Sequence, residues 1–198
     1  MSSQQLITAP TREPWTLAEA KAHLRISIDA EDAILRQYVK AARQWVEDET
    51  KRALVNQTWD YSLDAFPYWR IRLPLGRCQS VTQISYYDSS GAVQTLTGPS
   101  SGSPAGTDYQ EDLSSDEGGI LSPTPSGSWP SWQSYRMKAV TVRFVAGYGS
   151  DPTSIPADLR FAVLYRLSDL YEYRGAFDGD GTDRARNMVD SYRLGLFA

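Results

Sequence analysis

The sequence predicts an α+β protein in which a small core of about four helices is interrupted by a β-rich antiparallel insertion. Three observations predict it. Helical periodicity runs from Trp15 to about Leu54, it returns from Ile155 to Arg174, and the residues between alternate with the period of strands. At 198 residues the chain holds one ordinary core or a small core with a sizeable insert, and is too short for two full-sized domains. The expected organisation is an N-terminal arm over residues 1–15, a helical core built from 16–55 and 152–198, and a β-rich insertion over 56–151.

The first residues are polar and bear Pro10, so they are expected to run as an extended arm that orders only where something holds it. Thr16 followed by Glu19 is a capping box, because hydroxyl and carboxylate each satisfy a free backbone donor of the first turn, and a short helix from Leu17 to about Leu24 follows. Asp29 and Asp32 offer the same chemistry to a longer second helix. Along it Ile34, Leu35, Tyr38, Val39, Ala42, Trp45 and Val46 recur at spacings of three and four, which sets Arg36, Lys40, Arg43 and Glu47 outward.

From Asn56 the period is two. Trp59, Tyr61 and Leu63 alternate with polar residues, Ile71 and Leu73 precede Pro74, and Val81 to Tyr87 lead through Asp88-Ser89-Ser90-Gly91 to Val93 and Leu96, a hairpin. Thr97 to Thr107 and residues 122–134 are rich in Ser, Pro and Gly and are expected as loops, with a weak strand at Gly119-Ile120-Leu121 between them. Ala139 to Val145 is the strongest strand candidate. Gly147-Tyr148-Gly149 lacks the Lys-Ser/Thr of a phosphate loop and fits a turn out of that strand.

Pro156 suits the first position of a third helix whose stripe is Leu159, Ala162, Val163, Leu167 and Leu170, widened by Phe161, Tyr165 and Tyr171. Thr182 or Asp183 can cap a final short helix carrying Met188, Val189 and Tyr192. The chain then runs Leu194-Gly195-Leu196-Phe197-Ala198, an apolar stretch expected either to fold back on its own core or to dock into a neighbour.

Chemistry-bearing motifs are sparse. Net charge is −4, so no basic field draws the chain onto nucleic acid, and aromatic residues at 12% favour half-buried surfaces and interfaces. The single Cys78 precludes an internal disulfide and is expected as an inert buried thiol. With His23 the only histidine, Ser-His-Asp or Cys-His catalysis would hang on that residue, which is better placed on a helix surface. Asp178 to Asp183 resembles a calcium loop but has Asp183 where glycine and Val189 where glutamate belong. Glu111 with Asp112 and Asp116 with Glu117 are expected to be solvated, with nothing to raise a pKa. No run of apolar residues is long enough to span a bilayer. No cofactor, metal or catalytic set is expected, and the protein should be soluble and made in a reducing compartment.

Taken in order, Trp15 to Arg25, Glu31-Asp32 with Leu35, Ala41-Ala42 to Thr50 with Leu54, Thr58-Trp59, Val145-Ala146-Gly147-Tyr148-Gly149, Ile155-Pro156 and Tyr171-Glu172-Tyr173-Arg174 form a pattern. In it the chain resembles the head-tail connector, or adaptor, family of long-tailed bacteriophages and gene transfer agents. The resemblance implies a structural, non-enzymatic component of the virion neck, made in the host cytoplasm. It implies a ring of twelve copies beneath the portal protein, joined to a stopper or tail-completion protein, with a channel through which double-stranded DNA passes unbound. The family's C-terminal segment commonly reaches into the portal, which here points to Arg186, Met188, Tyr192, Arg193, Leu194, Leu196 and Phe197 as portal-binding residues. The long insert from Thr97 to Ser134 departs from the family pattern. From the residues alone an alternative stands beside this: a carbohydrate- or receptor-binding module in which Trp129 and Trp132 stack on a sugar.

Overall fold

The computed structural model describes residues 2–99, 108–173 and 182–195. The chain separates into two compact units, one of residues 1–9 and 56–147, the other of 10–55 and 148–198.

The first unit is built of antiparallel strands. Five of them, β1 (Ser2–Thr8), β2 (Gln57–Leu63), β4 (Cys78–Tyr87), β5 (Val93–Leu96) and β8 (Val140–Ala146), form a sheet in the order β1-β2-β8-β4-β5. A smaller sheet has β3 (Ile71–Arg72), β7 (Ile120–Pro123) and β6 (Tyr109–Asp112) in the order β3-β7-β6. The strongest sequence signal lies at the centre of the larger sheet. On β8, Val140, Val142, Phe144 and Ala146 are fully buried, while Thr141, Arg143 and Val145 point to the half-buried face, the alternation that a pleat imposes. Asp60 sits directly opposite Arg143 and accepts both guanidinium hydrogen bonds at 2.8 Å, which pins the β2–β8 register.

The β4–β5 hairpin forms as expected. Asp88 accepts from the Ser90 and Ala92 N–H groups at 2.9 and 3.1 Å, and Gly91 takes φ +86° beside it. The Ser90 hydroxyl and the Gln94 amide, with those N–H groups, hold the Asp88 carboxyl down at about 2. Two strands escape sequence reading. β1 lies where an extended arm was expected and is held by β2. Its Ser and Gln residues stay mostly exposed at the sheet edge, so no apolar period marks it. β6 is flanked by Gly- and Ser-rich sequence, and only Tyr109 of its four residues is buried. Glu111 on β6 departs from the solvated reading: burial against the sheet raises its pKa.

The second unit is helical, with α1 (Leu17–Leu24), α2 (Asp32–Thr50), α3 (Ala157–Tyr173) and α4 (Thr182–Val189). Thr16 and Glu19 make the full capping box. The cap expected of Asp29 and Asp32 does not form; both carboxylates turn to Lys21 Nζ, at 2.5 and 2.8 Å, because an ammonium outcompetes backbone donors, and Glu31 occupies the N-cap without a side-chain bond. The core joins Ala20 of α1, Val39, Ala42 and Val46 of α2, Leu54 and Val55, Ile155, Leu159, Ala162, Val163 and Leu167 of α3, and Val189 of α4. Burying each Leu or Val there stabilises the unit by about 1.5 to 3 kcal/mol.

Helical periodicity misplaced several residues. Arg43, expected outward, is 3% exposed, and it bonds Glu13 Oε2 at 2.7 Å and the Glu47 carboxylate. Glu47 also accepts from the Leu54 N–H at 2.9 Å; burial raises its pKa despite the opposing pull of Arg43. Ile34, Phe161 and Tyr165 were expected in the stripes and are more than 40% exposed instead, beyond the arc that α2 and α3 bury.

Candidate functional site: the C-terminal segment of the helical unit

The segment after α4 is where the sequence placed its interaction residues. Ala185 and Val189 are four apart on α4 and both fully buried, so this short helix is seated by its apolar side. A 3₁₀ turn at Asp190–Tyr192 follows, and Met188 and Tyr192 pack as partly buried residues against the helical core.

Polar contacts then fasten the segment to the end of α2. Arg186 reaches Glu49 Oε1 at 2.9 Å, and Arg193 takes the other oxygen of the same carboxylate. Burial alone would push Glu49 up, but the two guanidinium groups outweigh it and hold the carboxyl below its usual value. The Leu194 N–H donates to the Thr50 carbonyl at 3.0 Å, satisfying one of the free carbonyls that end α2. Arg52 Nε donates to the Tyr192 carbonyl at 2.5 Å, and the Tyr192 hydroxyl lies 3.5 Å from Asp158. Up to Gly195, then, the segment folds back on its own unit. Both arginines are more than a third exposed, so each ion pair contributes at most about 1 kcal/mol, and a partner's carboxylate can compete for them.

Of the residues singled out for docking, Arg186, Tyr192, Arg193 and Leu194 are thus gathered at the end of α2, Met188 packs against the helical core, and Leu196 and Phe197 lie outside the described residues. Glu49, Thr50 and Arg52, which organise the group, went unrecognised. Their signal is faint, since only the helix end at Lys51, with φ +58°, marks the spot in the chain.

The other candidates resolve as structural groups. Trp129 is 9% exposed and stacks on Phe66 with ring centroids 4.9 Å apart, and Trp132 meets the same ring edge-on at 5.8 Å. A sugar-stacking platform needs an open ring face, and Trp129 presents none, so the carbohydrate reading is set aside. His23 lies on the exposed side of α1, 3.0 Å from the Ser168 hydroxyl on α3. Cys78 is buried, and desolvation pushes its thiol up to about 12. The calcium-like sequence at 178–181 lies outside the described residues. Among the described residues no cluster of His, Cys, Asp or Glu could hold a metal, and no helix is long and apolar enough to cross a membrane.

Residues 15–91 match the family model described as Phage gp6-like head-tail connector protein. Three solved structures share the fold over nearly their whole length. In the neck of an empty gene transfer agent particle, computed with C6 symmetry, one chain is 20% identical with a TM-score of 0.78, covering 99% of this chain and 97% of its own. In the virion of a native gene transfer agent particle the figures are 21% and 0.79, with 98% and 97% covered. In the neck of the native particle computed with C12 symmetry they are 22% and 0.75, with 99% and 97% covered. No curated protein matches the sequence.

Proposed function

We infer that this chain is a head-tail connector of the Phage gp6-like family, a structural component of the virion neck that joins the capsid to the tail. The family match over residues 15–91 carries the reading, and the full-length likeness to neck chains of gene transfer agent particles supports it. Those particles were computed with sixfold and twelvefold symmetry, which favours a closed ring of twelve copies here. The ring leaves a channel for DNA, and a chain with net charge −4 lets phosphates pass without holding them. Its work is to position neighbours: it transforms no substrate.

The C-terminal segment is the portal contact. Arg186, Tyr192, Arg193 and Leu194 anchor its base at the end of α2, Met188 seats it on the helical core, and Leu196 and Phe197 supply apolar anchors for a groove on the portal. Deleting residues 195–198 leaves every contact described for this segment in place, so the truncated chain is expected to fold and to lose co-sedimentation with purified portal rings. The full-length protein mixed with portal should show a twelvefold collar in electron micrographs. Unchanged co-sedimentation after the deletion refutes the docking assignment; absence of any collar from the full-length mixture refutes the ring beneath the portal.

A further inference from the structure

Beside the start of α1 the helical unit carries an open groove of about 670 Å3, within the range of sites that bind peptides and small molecules. Pro14, Trp15, Leu17 and Val39 give it an apolar lining. Trp15 is held firmly, its indole N–H donating to the Arg160 carbonyl at 2.7 Å and its ring lying under the Arg160 guanidinium at 4.0 Å.

The charges around this lining are unevenly committed. All three acids are engaged within the unit: Glu13 by Arg43 at 2.7 Å, Glu19 by the Thr16 N–H and hydroxyl at 2.8 and 2.7 Å, and Asp151 by the Thr153 N–H and hydroxyl at 2.9 and 2.8 Å. Arg160 is likewise engaged, by the Pro14 carbonyl at 3.0 Å. Arg12 is exposed and its charge acts on Asp151, whereas Arg36 and Lys40 are exposed with no acid paired to them among the described residues. Arg36 and Lys40 stand four apart on α2 and so share one face, with the buried Val39 between them in the lining. With Glu13 facing Arg43, and Glu19 and Asp151 facing Arg160 and Arg12, the positive charge left over beside the apolar lining is that of Arg36 and Lys40, whose complement is carboxylates alternating with apolar side chains.

We propose that this groove, between α2 and the segment leading into α1, binds an extended acidic peptide segment of a partner protein, with apolar side chains on Trp15 and Leu17 and carboxylates at Arg36 and Lys40. The segment need not be portal, and the groove shares no residue with the C-terminal contact, so the two assignments stand or fall separately.

The test uses the full chain and dye-labelled five-residue peptides in which leucine or phenylalanine alternates with aspartate or glutamate, read by fluorescence anisotropy. The same peptide with asparagine and glutamine in place of the acids is the comparison. The acidic peptide is expected to bind at least about tenfold more tightly at low salt, the difference shrinking above about 0.5 M salt as screening sets in. The double variant Arg36→Glu with Lys40→Glu should abolish that preference with an unchanged circular dichroism spectrum, and Arg36→Gln with Lys40→Gln should weaken it without reversing charge. Equal binding of acidic and neutral peptides, a preference for the acidic peptide that survives the charge reversal, or no binding of either peptide each overturns the proposal.

Discussion

Replacing Arg43 by methionine gives the most informative perturbation, because the residue lies at 4% side-chain exposure between two carboxylates of the helical unit. Methionine keeps most of the stem's apolar packing and removes the guanidinium. Glu47, 14% exposed, then loses the Arg43 guanidinium, whereas Glu13 at 29% retains more water. Breaking a buried pair in this way costs about 3 to 5 kcal/mol, and the partial exposure of Glu13 places the loss near 3. The pH dependence follows from Glu47, whose folded pKa is already raised by burial and rises further once Arg43 is gone. A carboxyl with a raised folded pKa binds its proton more tightly in the native state, so its favourable contribution is complete below the unfolded value and is lost as pH rises through the folded one. The gap between wild type and Arg43→Met is therefore expected to be larger at pH 7 than at pH 4.5. Urea denaturation of both proteins at the two pH values measures it. Adding Glu47→Gln to Arg43→Met should recover at least about 1 kcal/mol at pH 7. A variant within about 0.5 kcal/mol of wild type at pH 7, or a gap that does not shrink on acidification, would show that the triad is not a buried charge network.

Two further outcomes test the β unit. The Asp88 carboxyl titrates at about 2 in the folded hairpin, so its support is present above the ordinary value of 3.8 and is lost as pH falls from there to about 2; amide exchange of Ser90 and Ala92 should accelerate across that window, and should accelerate at neutral pH in Asp88→Ala. With its thiol pushed up to about 12 and its side chain buried, Cys78 should resist iodoacetamide at pH 8 in the native protein and react promptly in urea; rapid alkylation of the folded chain would contradict the burial.

What was legible in the chain depended on whether the signal was local. The Thr16–Glu19 box needs only residues three apart, and the β8 alternation only a pleat, and both were readable. The misreadings share a different cause. Arg43 lies on the expected outer face of α2, but Glu13 from another part of the chain packs there, and no local period announces a remote carboxylate. Asp29 and Asp32 have the right chemistry for a cap, yet Lys21, eight and eleven positions earlier, takes both. β1 has no apolar side to display because its neighbour β2 supplies backbone pairing and little burial. The docking segment was half legible: the apolar residues near the end drew attention, while Glu49, which gathers both arginines, looked like any surface acid of a helix.

The helical unit is assembled from two stretches far apart in sequence, 10–55 and 148–198, and this has a bearing on biosynthesis. While the intervening strands are being translated, α1 and α2 exist with Val39, Ala42 and Val46 uncovered, since their lid, Leu159, Val163 and Leu167, has yet to leave the ribosome. Nascent chains halted before α3 should thus attract chaperones and proteases, and full-length product should become resistant only once that helix has been released, a delay that contiguous helical hairpins avoid.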